Sequence, residues 1–300
     1  MKRNAAFFWL AAALSPCYGY LPVASAMESG SLAAAETARH RLMSDAQWAA
    51  LFDQHLPLAD RQHAVAALEH SSDLTDPHDL YMLGSLYHMG QRAPGSPVQQ
   101  NAEKASLYLG NAAIRGSVLA MAKMAELKLA AGQYREAMNW AQIYAHYALL
   151  PSNDRQSRES YTAELVQRIM DHVDDSQMTA IMSDVNSFIA NYDTRIRQGM
   201  AEGAMSDQLR PTSPRHRYKG ASLDERAFEA GIADFIVTFR ADGTAANVQI
   251  IDAVPRPEVA GMLREFAINS TVKPSTNSGL RYGWMPILMN DNRYRATTRH

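Results

Sequence analysis

The run Phe235-Ile236-Val237-Thr238-Phe239-Arg240-Ala241-Asp242-Gly243-Thr244 sets the architecture expected of the last quarter of the chain. Phe235, Val237 and Phe239 alternate, the period-two mark of a half-buried strand. Asp242-Gly243 follows, and Asp-Gly between two strand-like runs is a strong hairpin signal. Val248, Ile250 and Ile251 carry a second strand. From Arg256 the period lengthens: Val259, Leu263 and Phe266, with Met262 and Ala267 beside them, share one helical face. Pro274 ends that region, and Tyr282 to Met289 is a third strand. Residues 223–300 are therefore expected to form a small ββαβ domain with an antiparallel sheet.

Upstream the pattern is helical. Amphipathic segments run over Ser44–Gln54, Ala59–His70, Asp79–Met89, Ala102–Ile114, Val118–Ala131 and Tyr134–Leu149. Two more follow, from about Arg155 to His172 and from Ser176 to Asn191, the last with Asp174 and Asp175 at its positive end. Two stretches answer each other. Leu83-Gly84-Ser85-Leu86-Tyr87 with Gly90 is echoed by Met124-Ala125-Glu126-Leu127-Lys128 with Gly132. Glu103-Lys104-Ala105-Ser106-Leu107-Tyr108 is echoed by Arg135-Glu136-Ala137-Met138-Asn139-Trp140, and Ala112-Ala113 with Gly116 closes the first unit. A repeated helix-turn-helix signals a solenoid.

These landmarks resemble Sel-one-like repeats, bacterial relatives of tetratricopeptide repeats. The first unit carries nearly all of them, with Arg92-Ala93-Pro94-Gly95-Ser96-Pro97 inserted in its loop; the second has Ala125 where the first has Gly84. The resemblance implies an N-terminal all-α solenoid of paired antiparallel helices over residues 30–195 that offers a protein-binding surface. With the C-terminal unit the overall class is α+β. Small residues such as Gly84 read as packing positions. Tyr87 and Tyr108 read as core. Trp140 and Tyr144 are candidate anchors for a partner on the open face.

The C-terminal quarter is similar to the C-terminal domain of the TonB energy-transducer family. Phe239-Arg240-Ala241-Asp242-Gly243, Val248-Gln249-Ile250-Ile251 and Leu263 through Phe266 to Val272-Lys273-Pro274 carry the likeness, with Val272 where the family has an aromatic residue. The resemblance implies capture of an extended peptide, such as a segment of an outer-membrane receptor, by adding it to the sheet edge. The last strand supplies that edge, with Trp284, Met285, Ile287 and Leu288 as candidate partner-binding residues. Pro286 interrupts it, because proline has no N–H to offer a ladder.

Lys2 and Arg3 precede an apolar run from Ala5 to Leu14, and Ala24-Ser25-Ala26 offers a small-residue exit. That order is expected of a secretory signal peptide, residues 1–26, cleaved after Ala26 to release a periplasmic protein. Retention as an inner-membrane anchor and lipidation at Cys17 are the alternatives. Cys17 is the one cysteine, so the cleaved chain would have neither disulfide nor thiolate chemistry. Residues 198–222, with Gly199, Gly203, Pro211, Pro214 and Gly220, read as a linker. Arg210, Arg215, His216, Arg217 and Lys219 make it locally basic, which reads first as a solvated tether, with peripheral membrane or cell-wall contact as the alternative.

A formal net charge of −2 argues against nucleic acid as a partner. Ten histidines invite a search for metal ligands, yet no His-Glu-x-x-His occurs, and His63 and His70 lie two helical turns apart. Asp73, Asp76 and Asp79 around Pro77 read as turn and N-cap residues. Neither a Gly-x-Ser-x-Gly elbow nor a phosphate-binding Gly-rich loop is present. No cofactor, metal or catalytic residue is assigned. The expected function is an exported adaptor that binds a protein or extended peptide of the cell envelope. A divergent TonB-type transducer held by an uncleaved N-terminus is one alternative, and a cell-wall-modifying enzyme with a dispersed site is another.

Overall fold

A computed structural model describes residues 43–71, 75–150, 155–204, 209–212 and 230–289. Its helices are α1 (Asp45–Phe52), α2 (Leu58–Glu69), α3 (Pro77–Met89), α4 (Ala102–Ala113), α5 (Val118–Ala130), α6 (Tyr134–Ala148), α7 (Arg155–Met170) and α8 (Met178–Ala204). After them come β1 (Gly231–Phe239), β2 (Ala245–Val254), α9 (Glu258–Ile268) and β3 (Arg281–Met289). The signal segment, Cys17, Asp73 and the basic residues Arg215, His216, Arg217 and Lys219 lie outside the described residues.

Local chemistry explains where the helices begin. Ser44 and Gln47 cap α1 reciprocally, and Asp76 accepts from the His78 N–H one residue before Pro77 opens α3. Asn101 accepts from the Lys104 N–H at the start of α4. Each cap satisfies backbone donors that an isolated helix end leaves unpaired. The repeat units fold as two helix pairs, α3 along α4 and α5 along α6, with α4 on α5 and α6 on α7 and α8. Gly84 permits the first pairing: a Cβ there would lie 2.6 Å from Leu109 Cγ.

The sheet order is β2-β1-β3, antiparallel throughout. Asp242-Gly243 makes the expected hairpin turn, with Gly243 at φ 88° and its N–H donating to the Arg240 carbonyl at 3.0 Å. The half-buried strand expected at Phe235–Phe239 is instead buried on both faces, since all nine residues of β1 are enclosed. Phe235, Val237 and Phe239 pack with Val259 and Leu263 of α9. Ile232 and Ile236 point the other way, into a core shared with Tyr81, Met121 and Tyr161 of the helical array. Between Asp234 and Phe235 the β1–β2 register slips, leaving Ile251 as an extra residue. Such a bulge re-aims side chains, and Ile251 and Asp252 both join the helical side of the sheet.

The separate 30–195 and 223–300 domains therefore meet a correction. The described residues all fall in one compact unit, and their helices and sheet share one core. The linker begins later than expected too, because α8 runs on to Ala204. Gly199 is a close-approach residue in that helix: a Cβ there would fall 1.8 Å from the Arg115 carbonyl oxygen. Leu209 packs beside the α9 core, and Thr212 pairs its backbone with Thr271.

Candidate functional site

Two features carry chemistry. The first lies where the sheet meets the helices. Lys123 of α5, Asp234 of β1 and Asp252 of β2 have side chains with no solvent exposure. The Lys123 ammonium lies 2.5 Å from an oxygen of each carboxylate and donates to Ser85 Oγ at 2.7 Å. Tyr81 Oη donates to Asp234 Oδ2 at 2.8 Å, and Trp284 Nε1 donates to Asp234 Oδ1 at 2.9 Å. Asp252 Oδ1 accepts from the Ala253 N–H at 2.8 Å and meets His88 Nδ1 at 2.7 Å.

Asp234 and Asp252 face each other across the β1–β2 ladder, a like-charge pairing that repels unless a cation intervenes. Lys123 intervenes. Burial raises the Asp234 carboxyl above its usual range, and the pull of Lys123 does not fully offset it. Burial also opposes ionisation of Asp252, but His88 and Lys123 together overcome it and bring that group to about 2. The carboxylate that meets both Lys123 and His88 is the more acidic one. Burial, then the adjacent carboxylates, push the Tyr81 phenol well above its ordinary value. Every oxygen of both carboxylates is engaged, which leaves no face for a substrate; the cluster clamps sheet to helices.

The second feature is a groove of about 350 Å³ between α2, the loop before α4, and α4 itself. Glu69 Oε1 on its wall accepts from Lys104 Nζ and Tyr108 Oη, each at 2.8 Å. Lys104 Nζ also donates to Tyr87 Oη at 3.0 Å, and the Tyr87 and Tyr108 rings stack at 5.9 Å. Burial opposes ionisation of Glu69, but bonds from Lys104 and the tyrosines hold it below the usual carboxylate range. Burial and then Glu69 push the Tyr108 phenol up to about 12. The Arg61 guanidinium fixes the loop by donating to the Gly95 carbonyl. Gln62, Gln99 and Gln100, all exposed, join apolar Val65, Ala66, Pro97 and Val98 in the lining.

The residues expected to bind a partner fall elsewhere. Trp284, Met285, Ile287 and Tyr144 are buried, so none lines an exposed surface. Trp284 is 8% exposed and packs on Tyr81 and His78. Leu288 is half-buried against the main core. Trp140 is half-buried, its ring edge-on to Phe188 of α8 at 5.4 Å. The β3 edge is blunted as well. Tyr282 points its N–H away from β1 and donates to Asp45 Oδ1 of α1 at 2.9 Å. Pro286 shares that parity and lies opposite Asp234, so its missing N–H falls on the same outer edge.

Neither feature was assigned from sequence, although each left a trace. Lys123 interrupts the apolar run Val118–Met124, and Asp234 precedes the alternating apolar residues of β1. A charge in such a place needs a buried partner. Lys104 and Tyr108 register as repeat landmarks, and their convergence on Glu69 depends on how α2 packs. Among the described residues no cluster of His, Cys, Asp and Glu is placed to hold a metal ion. No described helix is long and apolar enough to cross a membrane.

No family model matches this sequence, and no curated protein does. A similar solved structure is that of c5321, described as a protective antigen present in uropathogenic Escherichia coli strains displaying an SLR fold. It is 14% identical with a TM-score of 0.38, over 57% of this chain and 34% of that one. This chain thus spans 34% of that protein's length, and so distant a likeness says nothing of ligand or activity.

Proposed function

We propose that this chain is a protein-interaction adaptor whose helical array grips an extended segment of a partner protein in the groove between α2 and α4. One observation carries the reading: Gln62, Gln99 and Gln100 line the groove with side-chain amides that make no hydrogen bond among the described residues. An amide offers one acceptor and two donors, the complement of what a peptide backbone presents. Lys104 adds an ammonium whose side chain is 42% exposed. A groove of this size takes one or two side chains of an extended segment, whereas a helix about 10–12 Å across needs a wider trough.

A place in the cell envelope rests on residues 1–26, whose charged start, apolar run and small-residue exit have the order of a secretory signal. The ββαβ order with β1 central supports the likeness to the TonB C-terminal domain. Strand addition at β3 meets an edge already capped by Asp45 and interrupted by Pro286, so the groove takes precedence as the binding site.

A photo-crosslinking residue placed at Gln62 or Gln100 in living cells tests this. Both positions should yield the same discrete protein adduct, weakened by Gln99→Ala with Lys104→Glu. The exposed Leu107, on α4 but outside the groove lining, should yield none. Equal labelling from Leu107, or no adduct at either groove position, contradicts the proposal.

A further inference from the structure

The sheet has a second edge, and β2 forms it. Which of its backbone groups face outward follows from the parity of β3. Tyr282 turns its N–H away from β1, so Thr238 opposite it turns its own N–H and C=O toward β2, and Ile236 shares that parity. On β2 the residues opposite those two, Asn247 and Gln249, therefore bond to β1, while Val248 and Ile250 face outward. Among the described residues nothing on that outer side bonds to the backbone of Val248 or Ile250. Farther along the strand Ala253 also faces outward, but Asp252 Oδ1 takes its N–H at 2.8 Å.

Sheets guard such an edge with charge, proline, bulges or a covering element. The β3 edge has Asp45 and Pro286, with α1 and α7 packed against that strand. On β2 the run of residues 245–251 has neither charge nor proline. α9 packs on one face of β2, and α3 and α5 pack on the other. Bulges stand at Ala246 and Ile251, where the register with β1 slips, so the regular edge is residues 247–250. Two side-chain amides flank this opening. Gln249 is 6% exposed and Asn247 is exposed, and neither amide has a hydrogen bond among the described residues. An amide so enclosed without a partner is a place where a ligand gains hydrogen bonds.

Successive side chains of a strand face opposite sides. Val248 and Ile250 lie on the α9 side, where Met262 and Phe266 are half-buried against the same core. Asn247 and Gln249 lie on the helical side, opposite Thr238 and Ile236. We propose that the outer edge of β2 is a second binding site, which takes an extended, uncharged peptide as a fourth strand. Apolar side chains of that peptide lie beside Val248 and Ile250, and amide or hydroxyl side chains lie beside Asn247 and Gln249. Main-chain hydrogen bonds supply affinity and the alternation supplies specificity. A second copy of the chain is the poorer occupant, because so short a regular edge pairs too little surface for a stable dimer, which buries about 1,200–2,000 Å². The site is independent of the groove between α2 and α4.

Amide exchange of the full chain, read residue by residue by NMR with the synthetic peptide Ala-Ala-Asn-Val-Gln-Ile-Ile, tests the site. This peptide repeats the sequence of the edge itself. Laid antiparallel about its valine, it puts Val beside Val248, Gln beside Asn247 and Asn beside Gln249. Without peptide, the Val248 and Ile250 amides should exchange faster than those of Asn247 and Gln249. With peptide at millimolar concentration they should slow by about tenfold or more. N-methylation of the peptide's Val amide, which faces the edge, should abolish that protection; N-methylation of its Gln amide, which faces away, should not. The proposal is overturned if Val248 and Ile250 are already as protected as Asn247 and Gln249 in the peptide-free chain, if the peptide leaves their exchange unchanged, or if the two methylated peptides act alike. Protection that grows with the concentration of the chain alone also overturns it, by giving the edge to a second copy.

Discussion

Lys123 is where a single side chain has the largest consequence. Removing it leaves Asp234 and Asp252 facing each other with no solvent exposure, and breaking a buried ion pair from one side costs about 3–5 kcal/mol. Lys123→Met should lower the unfolding free energy by that order in a denaturant titration. Lys104→Met breaks a pair whose lysine side chain is 42% exposed, and should cost about 1 kcal/mol or less. Equal losses in the two variants would show that the cluster is no more demanding than a surface pair. Asp252 gives the acid side of the same site. Its carboxyl titrates at about 2 in the fold, below the ordinary 3.8. Because the folded value is depressed, its contribution is present above the ordinary carboxylate range and disappears as pH falls toward 2. Asp252→Asn should therefore flatten the stability-versus-pH curve in that window, read by circular dichroism. A sequence shows that Lys123 sits in an apolar run, but its two partners are more than a hundred positions away. The trace was legible and the pairing was not.

At the scale of elements, nearly every helix and strand was legible because its period, caps and turn residues agree. Ser44, Asp76 and Asn101 open helices where their side chains dictate, and Asp242-Gly243 turns the hairpin. The end of α8 was not legible, because Gly199 and Gly203 are the residues a linker would contain. Gly199 is there for contact instead, since its missing Cβ lets α8 cross the turn at Arg115 and Gly116. Gly199→Ala should destabilise by about 1–3 kcal/mol through overpacking. At Gly203 the nearest atom to a built Cβ is 3.6 Å away, so Gly203→Ala should be neutral or gain up to about 1 kcal/mol from helix propensity. Thermal melts of the two variants check the contrast, and a Gly199→Ala protein as stable as Gly203→Ala would mean that α8 does not dock there. The edge of β3 was half legible. Pro286 marked it, but the Asp45 cap on Tyr282 comes from a helix at the other end of the described chain.

At the scale of the whole molecule, the repeat helices and the sheet hold each other. β1 presents Phe235, Val237 and Phe239 to α9 and Ile232, Asp234 and Ile236 to the helices, so neither face of the strand is left to water. The expected division into independent domains came from a Gly- and Pro-rich stretch. That composition describes the connection but not the surfaces on either side of it. The reading of an extended-peptide adaptor gains from this packing, because a groove set in one compact unit is better pre-organised for its ligand. Amide hydrogen exchange followed by mass spectrometry on the full chain tests most directly whether helices and sheet are one cooperative unit. Peptides from Gly231–Phe239 and Val118–Ala130 should open with the same free energy, and both should lose protection together in Lys123→Met. A sheet that exchanges at a lower free energy while Val118–Ala130 stays protected would contradict the account.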